Sequence, residues 1–101
     1  MSTQNLHQLD TPLQSERLTR AIRKVQFARD LVVEITSAWI ACFEMWRVCR
    51  DHAAKHPSPA SRHAEDAAMQ ELERLERASA TAEWLLSLAE SAHRRAIGGV
   101  Q

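Results

Sequence analysis

Apolar residues recur by sevens along the first half of the chain, at Leu18, Val25, Val32, Trp39 and Trp46. Three residues after each come Ala21, Ala28, Ile35, Cys42 and Cys49. The two rows form the a/d seam of a heptad pattern, which holds one stripe of a helix against a neighbour. The positions beside the seam are apolar as well: Ile22 and Phe43 on one side, Leu31, Ala38 and Met45 on the other. A second row, Val33 and Ile40, lies further round. At about 100° per residue the apolar arc covers roughly two-thirds of the circumference in mid-helix. Only Gln26, Asp30, Glu34, Ser37 and Glu44 form a continuous polar strip. A helix packed on a single neighbour buries a narrower face, so this pattern predicts contact with at least two neighbours.

A second heptad pattern runs through Ala68, Leu72, Leu75, Ser79, Ala82, Leu86 and Ala89, and Trp84, Leu85 and Leu88 widen it. His56-Pro57-Ser58-Pro59 separates the two patterns. Pro57 disfavours helix at His56, while Pro59 suits the first turn of a helix capped by Ser58. Thr11-Pro12-Leu13-Gln14 reads as a capped helix start, and Gly98-Gly99 as a stop. The expectation is a polar, flexible arm over residues 1–10 and a single helical domain over 11–101. In that domain a helix spans about 12–54, a loop 55–58 and a second helix about 59–97. A bend is expected near Asp30, where Val32, Val33, Ile35 and Thr36 crowd together. A loop this short makes the helices antiparallel neighbours. The fold class is therefore all-α, an antiparallel hairpin of two long helices.

At 101 residues the chain is one domain, and 45% of it is hydrophobic. Sixteen of those residues are Ala, so large apolar side chains are few. A two-helix core this thin is commonly completed by association, and the expected state is a homodimer with bundle-like packing. Folding about Ser58 sets Arg47 and Arg50 near Asp66 and Glu71, and Glu73 is placed to pair with Arg77 four residues on. At the other end Arg17, Arg20, Arg23 and Lys24 come near Arg94 and Arg95. Those signs repel, so either the helices splay or an acidic surface from another subunit or partner fills the gap. Glu34 and Glu44 speak against a membrane span. No apolar stretch marks a secretory signal at the N-terminus. Cys42 and Cys49, about 10.5 Å apart along one helix, are too distant to bridge. Two unbridged cysteines fit a reducing cytoplasm.

Candidate chemistry is sparse. Cys49, His52 and His56 share a helical face, with His63 just past the loop, and four such ligands would suit tetrahedral zinc. The competing reading makes Cys49 part of the apolar seam and the histidines polar residues at a fraying helix end. It is preferred because no C-x-x-C pair accompanies them. The Arg17–Arg29 basic patch would meet phosphates, but zero net charge and a pI near 7.0 disfavour a dedicated nucleic-acid binder. Glu34 is flanked by large apolar residues, yet no nucleophile–base pair, Gly-rich phosphate loop or H-E-x-x-H is present. No enzyme, metal or cofactor is expected. Trp39, Phe43 and Trp46 form an i, i+4, i+7 aromatic ridge of the kind that anchors helices in apolar grooves.

The overall layout resembles the small helical antiactivators of quorum sensing, the QslA type. About a hundred residues carry a polar arm, a long apolar helix with TSAWIACFEMWRVC and an Ala/Leu-rich second helix. The resemblance implies a dimeric cytoplasmic protein that binds a LuxR-type transcription activator such as LasR. It would block that activator's dimerisation and DNA binding. The residues expected at the partner or dimer interface, Val33, Trp39, Ile40, Phe43 and Trp46, come from the periodicity. The alternative is a small helical adaptor or nucleic-acid-associated protein that uses the Arg17–Arg29 patch, with the ridge wholly internal.

Overall fold

The structure, a computed structural model, describes residues 2–100, with side chains from 12 to 98. Two helices, α1 (Ser2–Lys55) and α2 (Pro59–Val100), pack on each other as a hairpin. Among the described residues there is no strand.

The core follows the heptad reading. Ala21, Val25 and Ala28 of the α1 seam are buried, and the row continues to buried Ala53. Leu18, Val32, Ile35, Trp39, Cys42, Trp46 and Cys49 are half-buried. On α2, Leu72, Leu75 and Ala82 are buried, and Ala68, Ser79, Leu86 and Ala89 are half-buried. No large side chain is fully buried among the described residues. Small residues dominate the contact, which lets the backbones approach but removes little apolar area from water.

The turn is closed by two serines. Ser58 Oγ accepts the backbone N–H of Ser61 at 3.0 Å, and the backbone N–H of Ser58 donates to Ser61 Oγ at 2.9 Å. This is a reciprocal capping box with Ser at its third helical position. The Ser61 hydroxyl also lies 2.9 Å from the His56 carbonyl oxygen. Ser61 is buried, so its hydroxyl ties the end of α1 to the start of α2 from inside the turn.

Both outer ends differ from expectation. α1 is helical from Ser2, through residues 2–10 expected as an arm, with Pro12 inside the helix. The proline there forgoes one hydrogen bond to the carbonyl four residues back. Thr11, expected to cap, lies outside the residues with described side chains. α2 continues past Ile97 to Val100. Glycine ends a helix by leaving in the left-handed conformation, and no glycine among the described residues takes a positive φ.

The hairpin divides into two compact units. The first combines α1 up to Asp30 with α2 from Glu83 onward, and the second is Leu31–Ala82. α1 is helical through Asp30. In the first unit Arg29 faces Glu90 at 3.9 Å, and Arg94 donates to the Ser91 hydroxyl at 3.0 Å.

Candidate interaction surface

The five residues expected at an interface all lie in the second unit, but in two different settings. Trp39 and Phe43 stack with ring centroids 5.4 Å apart, and Trp46 follows Phe43 at 5.7 Å, tilted by 42°. All three are half-buried. The Arg50 guanidinium covers the Trp46 ring at 4.8 Å from its centroid, a cation–π contact. The ridge is therefore the aromatic end of the core seam, roofed in part by Arg50. Its indole nitrogens are poorly served, because Nε1 of both Trp39 and Trp46 is buried without a hydrogen-bond partner.

Val33 and Ile40 are different. They are 64% and 54% exposed, and they stand roughly a third of a turn from the seam at about 100° per residue. Met45 and Val48 are exposed as well. Of the predicted wide apolar arc, the hairpin covers the seam and half-buries Leu31 and Phe43, and leaves Ile22, Val33, Ala38, Ile40 and Met45 exposed. α2 behaves in the same way: Trp84, Leu85 and Leu88, expected to widen its core face, are all exposed.

Charges in the second unit pair along helices rather than across them. Arg47 pairs with Glu44, Arg50 with Asp51, and Arg74 with Glu71 through a bidentate contact. The expected pairing of Arg47 and Arg50 with Asp66 and Glu71 does not form, nor does Glu73 with Arg77. Nearby carboxylates on the same helix hold both arginines, and Glu71 is taken by Arg74. The Arg74 guanidinium holds Glu71 below the usual carboxylate range.

Cys42 sits where the helices meet, its Sγ 3.7 Å from the Ala68 carbonyl oxygen. Burial, reinforced by the Glu71 charge, pushes its thiol pKa up. A raised pKa means less thiolate, so Cys42 behaves as a small apolar packing residue. Cys49 is free and half-buried. The His52 and His56 rings lie 5.1 Å apart, tilted by 41°. Among the described residues no three His, Cys, Asp or Glu side chains converge on an ion-sized site.

Among the described residues no helix is long and apolar enough to cross a membrane. Compared with known families, curated proteins and solved structures, the chain matches none.

Proposed function

We propose that the chain acts by association alone: it self-associates and caps an apolar surface of a transcription activator. Following the resemblance, the target is a LuxR-type quorum-sensing activator of the LasR kind. Antiactivation then means covering the surface through which the activator dimerises, so that it no longer binds DNA. The observation that supports this reading is the exposure of Val33 and Ile40 on a helix whose core seam is already occupied. Exposed apolar rows of this kind mark interaction sites. Val33 and Ile40 are the contacts with the activator. Trp39, Phe43 and Trp46 hold the helix that presents them. The chemistry takes place in the reducing cytoplasm and needs no metal or cofactor.

The test mixes the purified chain with the ligand-binding domain of a LuxR-type activator and follows the mass of the mixture by light scattering. The expected result is loss of the activator dimer and appearance of a mixed complex. In a gel shift the chain should release the activator from its DNA without binding the DNA itself. An activator that stays dimeric with the chain in excess overturns the proposal.

A further inference from the structure

Charge is divided unevenly between the two units. The first holds seven Lys/Arg against five Asp/Glu, and the second six against eight. Within the first unit the cations are ordered. Leu13, Arg17, Arg20, Lys24 and Phe27 follow one another at alternating steps of four and three residues. That spacing makes a second helical seam, about a quarter turn from the buried row Ala21, Val25, Ala28. All five side chains are exposed, Leu13 by 54% and Phe27 by 69%. Arg17 and Lys24 have no ion-pair partner among the described residues, and Arg20 meets only Glu16, at 3.9 Å with both side chains exposed.

In the second unit α2 carries the opposite seam. Asp66, Met69, Glu73, Glu76 and Ala80 step by three and four, about a third of a turn from buried Leu72, Leu75 and Ala82. None of these three carboxylates has an ion-pair partner among the described residues. The steps of four and three from Leu13 to Phe27 equal those from Ala80 back to Asp66. Laid antiparallel, the two seams set Leu13 against Ala80, Arg17 against Glu76 and Arg20 against Glu73. Lys24 then lies beside Met69, between Glu73 and Asp66.

We infer that the basic seam Leu13–Arg17–Arg20–Lys24–Phe27 is an interaction surface, and that its occupant is the acidic seam Asp66–Met69–Glu73–Glu76–Ala80 of a second copy of this chain. Opposite charges at two of the five facing positions, Lys24 flanked by Glu73 and Asp66, and an equal period and length favour a second copy over an unrelated acidic protein. Three cations standing in the centre of the seam, rather than around an apolar patch, favour a helix over a lipid surface. The inference rests on the self-association proposed above and not on the activator.

The test is a charge swap read by sedimentation velocity. The wild-type chain should self-associate at low ionic strength and dissociate as salt is raised, because screening shortens from about 10 Å at 0.1 M to about 3 Å at 1 M. The reversed set Arg17→Glu/Arg20→Glu/Lys24→Glu should weaken self-association by about tenfold or more. So should Asp66→Arg/Glu73→Arg/Glu76→Arg. Mixing the two reversed chains should restore association between them. The substituted positions are solvent-exposed, and circular dichroism checks that helicity is kept. If a reversed chain unfolds, the neutral set Arg17→Gln/Arg20→Gln/Lys24→Gln should show the same loss in weaker form.

A wild-type chain that stays monomeric at every concentration overturns the inference. So does self-association that neither reversal changes, or a mixture of reversed chains that fails to associate. Duplex DNA bound through Arg17, Arg20 and Lys24, with self-association unaffected by their reversal, overturns it too. Failure of the seam contact with activator binding intact separates this inference from the reading on which it builds.

Discussion

The indole N–H groups of Trp39 and Trp46 are buried without acceptors, and an unpaired buried donor costs about 1–3 kcal/mol. Each tryptophan therefore contributes less to the hairpin than its area implies. Trp39→Phe discards the unpaired N–H and keeps a ring to stack on Phe43. We expect it to cost under about 1 kcal/mol in urea unfolding, against about 3–5 for Trp39→Ala. A cost above about 2 kcal/mol for Trp39→Phe would show that the N–H is satisfied after all. Cys42 gives a second residue-scale outcome. Its thiol pKa is raised by burial first and by the Glu71 charge second, while Arg74 lowers it. Glu71→Gln removes the second raising cause and leaves burial alone against the lowering effect of Arg74, so the thiolate fraction at a given pH increases. In a Cys49→Ser background, alkylation of Cys42 near neutral pH should be faster in Glu71→Gln than in its parent. Unchanged or slower alkylation would mean that access, not charge, controls the thiol.

At the scale of the element, the turn is where one side chain matters most. Ser61 accepts the Ser58 N–H and its hydroxyl also reaches the His56 carbonyl. Ser61→Ala orphans the half-buried backbone donor of Ser58, and we expect a loss of about 1–2 kcal/mol in thermal or urea unfolding. Ser58→Ala should cost about 1 kcal/mol as an ordinary N-cap loss, and equal costs for the two would remove the special role of Ser61. The far end of α2 offers a gain. A Cβ at Gly98 meets nothing within 4 Å and the residue has no positive φ. Gly98→Ala should stabilise the helix by up to about 1 kcal/mol. The heptad spacing made the seam legible from residues alone: Leu18 to Cys49 face inward as their period requires. The cap at Ser58 was equally legible, because Pro59 announces it. Three things were not. Ser61 escapes because it stands as a serine at the position where Glu or Gln marks a capping box. Pro12 and Gly98 look like punctuation, yet the helix runs through both. Trp84, Leu85 and Leu88 widen the apolar face in sequence yet stay exposed, because apolar character says that a side chain prefers burial, not that a neighbour is there to bury it.

For the whole molecule, the decisive quantity is the apolar surface that two helices cannot cover for each other. The buried set is mostly alanine, while Val33, Ile40, Met45 and Val48 remain in water. Seam and exposed row should therefore respond differently to the same insult. Val33→Glu/Ile40→Glu places charge where solvent already is, so stability should change by no more than about 0.5 kcal/mol per site. If the row is the face presented to a LuxR-type activator, the same pair of substitutions should abolish activator binding, because a carboxylate buried at an apolar contact without a partner is not tolerated. Leu72→Ala and Leu75→Ala, taken from the buried seam, should show the reverse. Each should cost about 2–5 kcal/mol of stability, with activator binding lost only as far as the chain unfolds. Circular dichroism for the fold and light scattering for the complex read the two effects separately. A Val33→Glu/Ile40→Glu chain that unfolds would place the row in a core that the hairpin alone does not complete. One that stays folded and still binds the activator would move the contact elsewhere.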